Sequence, residues 1–202
     1  MPASDAFGLF GCGLLGLAAV ATVIHRWRLP AGARYALMLA AAFAVFIPFG
    51  ELPAAAYLRG VTGDLSVTTL CLAGCACITR LTGKALIEPR ERQVLYQLLA
   101  LAALFLYPFA LGWTPFDPYS LGYGSIGFVT VLLMVTLAAW RAKLYAVVFI
   151  VIAAGLAYLA GAYESRNLWD YLIDPLVSVY ALVRLLSGLR HRLSGEVTQP
   201  AG

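Results

Sequence analysis

The sequence predicts an all-α fold: a polytopic helical membrane protein of about seven transmembrane helices, with its N-terminus outside and its C-terminus inside. Three observations predict it. Of 202 residues, 62% are hydrophobic and only 12% charged, against about 45–50% apolar and about 25% charged in a soluble domain. The apolar excess comes as repeated long blocks rather than as alternation. The charges fall between the blocks, with basic residues gathered in every second loop.

The first block, about Phe7 to Ile24, follows a start without basic residues. A secretory signal carries its positive charge before the apolar core, whereas here Arg26 and Arg28 come after it, so the block reads as a retained span. Gly8, Cys12 and Gly16 recur four apart and permit close helix approach. Span 2 runs from about Ala33 to Phe49. Span 3 runs from about Leu65 to Leu81 and is rich in small residues from Ala73 to Cys77. A charged loop carries Arg80, Lys84, Glu88, Arg90, Glu91 and Arg92. Span 4 covers about Val94 to Trp113, and a Pro- and Gly-rich loop follows at 114–124. Span 5 is about Ser125 to Trp140. After a tight basic turn, span 6 runs from about Leu144 to Tyr163. Span 7 ends near Leu189. The residues from Arg190 to 202 read as a polar, irregular cytoplasmic tail, so 1–189 forms one transmembrane domain. Spans 2, 3 and 5 are short for a bilayer core of about 30 Å, which leaves a merger or a re-entrant piece open.

Counting charges by side supports this orientation. Arg26, Arg28, Arg34, Arg80, Lys84, Arg90, Arg92, Arg141, Lys143, Arg184, Arg190 and Arg192 fall inside. Only Arg59 and Arg166 fall outside, as the positive-inside rule requires. The net charge of +4 is therefore a topology signal, and no nucleic-acid partner is expected. Cys12, Cys71, Cys75 and Cys77 all lie in apolar blocks, which argues against a disulfide framework. Buried packing also explains them better than a metal site. No metal or cofactor is expected: no His falls within a span to ligate haem, no Lys lies in the last span, and no phosphate or dinucleotide motif occurs. Gly122-Tyr-Gly-Ser-Ile-Gly127 has the look of a nucleophile loop but lacks a His to serve it.

The polar residues gather outside. Glu51, Arg59, Asp64, Asp117, Tyr123, Glu164, Arg166, Asn167, Asp170 and Asp174 form the candidate site, with Tyr119 and Trp169 beside them. Asp64, Asp117 and Asp174 each also suit a helix N-cap, the last two with Pro at the next position. The Tyr and Trp residues suit an interfacial belt. The stretch from Glu164 to Pro175 holds the chain's single Asn and admits two geometries. If Asp174 caps span 7, a helix ending at Leu189 reaches only about 22 Å. If the helix starts near Asn167, then Asn167, Asp170, Asp174 and Ser178 share a face, Pro175 kinks it, and Asp174 lies about 10 Å in. A carboxylate at that depth needs a partner or a wet cavity, with Arg166, Arg59 and Glu51 as candidate neighbours. The length argument prefers this second geometry.

An outward acidic and aromatic face without a nucleophile or metal points first to an accessory or assembly subunit in envelope polysaccharide or lipid biogenesis or export, in a bacterial inner membrane. Its partners would be membrane lipids and other inner-membrane or periplasmic envelope proteins. A small proton- or cation-coupled transporter, and an enzyme acting on a lipid-linked substrate at the outer face, are the alternatives.

Overall fold

The computed structural model describes residues 3–27, 29–112 and 115–196. Arg28, Trp113, Thr114 and the tail 197–202, all used in the sequence reading, lie outside the described residues. Among the described residues, the regular structure is helical apart from one two-residue antiparallel pairing, Pro48–Phe49 (β1) with Leu52–Pro53 (β2). A long helix occupies each of the seven apolar blocks: α1 (Ala3–Arg26), α2 (Ala31–Ala44), α4 (Val67–Thr82), α5 (Pro89–Ala110), α6 (Ile126–Arg141), α7 (Tyr145–Leu159) and α9 (Pro175–Glu196). Two short helices, α3 (Ala54–Thr62) and α8 (Leu168–Leu172), and a 3-10 turn at Pro118–Gly122 complete it. Among the described residues, two helices are long and apolar enough to cross a membrane, α1 over Asp5–Arg26 and α5.

Local chemistry sets the boundaries. Helix α4 starts at Ser66, whose Oγ accepts the Thr69 N–H at 3.2 Å, and stops at Gly83, which takes the left-handed conformation that glycine tolerates. Helix α5 starts with Pro89 in its first turn, where the missing N–H is harmless. Arg90, Glu91 and Arg92 are therefore helical rather than part of the expected loop. The α6–α7 turn is tight, with Lys143 at φ 59 and the Leu144 N–H bonded to the Ala139 carbonyl at 2.8 Å. Helix α9 runs on to Glu196, so residues 190–196 are helical and not the irregular tail expected.

The largest core joins α5, α7, α8 and α9, with Leu99, Ala103, Val147, Ala154, Tyr171 and Ala181 all buried. Around α1 the contacts rest on small residues. A Cβ at Gly8 would collide with the Arg59 and Asp64 side chains, and one at Gly11 would stand 3.0 Å from Leu70. Cys12 is fully buried. Gly16 is less constrained, with only Val45 at 3.7 Å. The four cysteines are free.

The bundle has an acidic end and a basic end. The first gathers the N-termini of α1, α4 and α9 with α3, the 3-10 turn and α8; the second carries Arg80, Arg92 and Arg141.

Candidate functional site at the acidic end

Asp174 decides between the two geometries open to the stretch from Glu164 to Pro175. Helix α8 stops at Leu172, and Ile173 is extended at φ −147, ψ 142. Asp174 then caps α9: its Oδ1 accepts the Val177 N–H at 2.9 Å. A continuous helix from Asn167 is thus excluded, and Asn167, Asp170, Asp174 and Ser178 share no helical face. The cap forms although it leaves a short apolar span: α9 runs on to Glu196, but its apolar stretch is Pro175–Gly188.

The second carboxylate oxygen of Asp174 does separate work. Oδ2 accepts the Ser66 N–H at 2.9 Å, the Ser66 hydroxyl at 2.7 Å and the Thr69 hydroxyl at 2.5 Å. One side chain thereby serves the N-termini of α4 and α9 together, where unsatisfied N–H groups and helix dipoles both favour a carboxylate. Asp174 is 5% exposed, and none of Arg166, Arg59 and Glu51 is bonded to it. Two more bonds tie the same corner: the Thr68 hydroxyl to the Leu172 carbonyl at 2.5 Å, and the Tyr163 hydroxyl to the Leu65 carbonyl.

The stretch after α7 clasps the 3-10 turn. Asn167 is fully buried. Its Nδ2 donates to the Tyr119 carbonyl at 2.9 Å, and its Oδ1 caps α8 by accepting the Trp169 N–H at 3.0 Å. The Trp169 indole donates to the Pro118 carbonyl at 2.9 Å, and its ring lies 4.3 Å from that of Phe128. Gly122 is buried against this clasp; a Cβ there would overlap the Asn167 side chain and approach Trp169. Asp170 accepts from the Tyr119 hydroxyl at 2.9 Å and the Ser165 hydroxyl at 2.5 Å. Burial, then the bond to Asp170, pushes the Tyr119 phenol above its ordinary range. Asp117 caps the 3-10 turn, accepting the Tyr119 N–H at 2.9 Å, with Pro118 next as expected.

Arg59 forms a third cluster, donating from Nε to Asp64 at 2.7 Å and from Nη1 to Asp5 at 2.9 Å. Asp64, then Asp5, holds the guanidinium protonated well above its ordinary range. Asp64 is therefore an ion-pair partner and not the cap of α4, a role that Ser66 takes. The remaining predicted residues do not join. Glu51 is exposed in the turn between β1 and β2, Glu164 and Arg166 are exposed, and Tyr123 packs edge-on against Tyr119 at 5.8 Å. Of the ten site residues, the structure links Asn167 and Asp170 to one loop and Asp174 to two helix starts. Arg59 pairs with Asp64 and Asp5 instead.

Three partners escaped the sequence reading: Ser66, Thr69 and Ser165. Ser-x-x-Thr before an apolar run is a helix-start signal that was there to be read, but its link to Asp174 spans 108 residues. Glu91 was also missed. It is 8% exposed and accepts the Ala146 N–H at 3.2 Å, capping α7 from the first turn of α5. Among the described residues, no group of three His, Cys, Asp or Glu could hold a metal ion.

The arrangement locks loops together more than it offers free reactive groups. The chain matches no family model, and neither a curated protein nor a solved structure is significantly similar to it.

Proposed function

We propose that the chain is a seven-span protein of a bacterial inner membrane, N-terminus outside and C-terminus inside. In this reading it serves as an accessory or assembly subunit in envelope polysaccharide or lipid biogenesis or export. The observation that carries the reading is the engagement of Asp174 and Asp170. A proton relay or a general acid and base needs a carboxylate oxygen open to water or substrate. Both oxygens of Asp174 are taken by the chain's own donors, and Asp170 accepts two hydroxyls. That disfavours the transporter and the lipid-linked enzyme. The membrane setting draws support from the two long apolar helices and from the exposed flank of α6. There Val129, Val131, Leu133, Met134 and Leu137 are each at least half exposed, an apolar face that water would not tolerate at that length. The five shorter apolar helices cross in a locally thinned bilayer or with help from their flanking loops.

The test is a deletion strain profiled for envelope glycans and lipids. One polymer or lipid class should fall, and Asp170→Asn, present at the wild-type level, should restore it. A membrane-inserted Asp170→Asn chain that restores nothing would put the site back in the chemistry. Proton or cation flux in liposomes holding the purified chain would favour the transporter. A reporter fused after Gly202 should read cytoplasmic; a periplasmic signal would overturn the orientation.

A further inference from the structure

A cavity of about 570 Å³ is walled by α1, α4, α5 and α9 and by the loop 85–87. That volume is within the range of about 300–1,000 Å³ typical of small-ligand sites. Its walls are mainly apolar, with Ala76 and Tyr180 among them. Two cations, Arg80 in the last turn of α4 and Arg92 in the first turn of α5, line its basic end. Neither arginine is joined to a carboxylate in the ion pairs found among the described residues. At the other extreme the cavity reaches Thr69. From Thr69 to Arg80 is about 16 Å of helix at about 1.5 Å per residue. The groove thus follows most of α4, from near its first turn to its last.

We infer that this cavity is a binding site for an anionic phospholipid of the inner leaflet, one acyl chain along the groove and the phosphate at Arg80 and Arg92. The inference rests on the membrane placement proposed above. Two features choose this occupant over a partner helix: the charge sits at one end only, and it is of the guanidinium type that pairs with phosphate through two parallel hydrogen bonds. Snorkelling to the interface explains why an arginine sits at a helix end, but it does not require two to border one apolar groove.

The experiment is native mass spectrometry of the full chain in neutral detergent. It is titrated with phosphatidylglycerol or with phosphatidylcholine of the same acyl chains. A basic side chain near an anionic lipid surface contributes about 1 kcal/mol, or about fivefold. Arg92→Gln should therefore weaken phosphatidylglycerol binding about fivefold, and Arg80→Gln with Arg92→Gln about 25-fold. Phosphatidylcholine binding should be unchanged by either. Ala76→Phe, which fills the groove, should weaken both lipids. Equal affinity for the two lipids, full binding by the double variant, or an equal loss in the control Arg141→Gln would overturn the proposal. So would competition by glycerol phosphate without acyl chains. Arg92 is exposed, so its single variant stands as a test even where the double variant does not fold. Alkaline carbonate extraction separates the two levels. A chain that resists extraction yet shows no lipid preference sinks the groove alone, while an extracted chain sinks the membrane placement beneath it.

Discussion

Replacing Asp174 tests whether the acidic end is a lock or a working site. In Asp174→Ala, α9 loses its cap at Val177, worth about 1 kcal/mol. The Ser66 and Thr69 hydroxyls can rotate toward other acceptors. The Ser66 N–H cannot, and a stranded buried donor costs about 1–3 kcal/mol. The sum is about 3 kcal/mol, which for a chain of this size corresponds to about 6–12 °C in Tm. Asp174→Asn is milder but not silent. Its single carbonyl best serves the three donors that converge on Oδ2, which turns the amide NH2 toward the Val177 N–H and forfeits the cap, about 1 kcal/mol. Thermal unfolding of the purified chain in one detergent, followed by tryptophan fluorescence, measures both. The order wild type, Asn, Ala is expected, with membrane levels falling in parallel. An alanine variant within about 1 °C of wild type that has lost function would refute the reasoning, because the carboxylate would then be doing chemistry and not holding helices.

Other perturbations have equally definite outcomes. Gly122→Ala drives a methyl group into Asn167 and Trp169; a loss of about 1–3 kcal/mol should appear as a lowered Tm, and a neutral result would remove the close approach. Arg59→Ala breaks two ion pairs whose side chains are about a quarter to a third exposed, so the loss should stay below about 1 kcal/mol. Arg166→Ala should fall within about 0.5 kcal/mol of wild type; a larger effect there than at Arg59 would mean the wrong arginine has been made structural. Glu91→Ala removes the acceptor for Ala146 and should cost about 1–2 kcal/mol, while Glu91→Gln keeps a carbonyl and should retain most of it; equal losses would point to charge in place of capping.

What the sequence disclosed and what it hid divide along one physical line. Apolar blocks, turn residues and basic loops are local signals, and a helix stands over every block they marked. Asp117 with Pro118 was likewise readable, because cap and capped N–H are two residues apart. Asp174 was ambiguous for a local reason too: a cap there leaves a short apolar span after it, and the chain takes the cap all the same. Partners distant in sequence were not readable. Asn167 meets the Tyr119 carbonyl across 48 residues, and Asp64 turned to Arg59 while Ser66, two positions on, took the cap. Listing polar residues on one face could gather them as a set, but it could not say that they satisfy one another.

The bond between Asp174 and Ser66 also orders the assembly of the chain in time. Helix α4 is made long before α9, and until α9 arrives the Ser66 N–H and the Thr68 and Thr69 hydroxyls lack the acceptors they find in the finished protein. A chain that stops before α8 therefore carries open donors at the start of α4. The residue that caps α9 also completes α4, so the two helix starts stand or fall together.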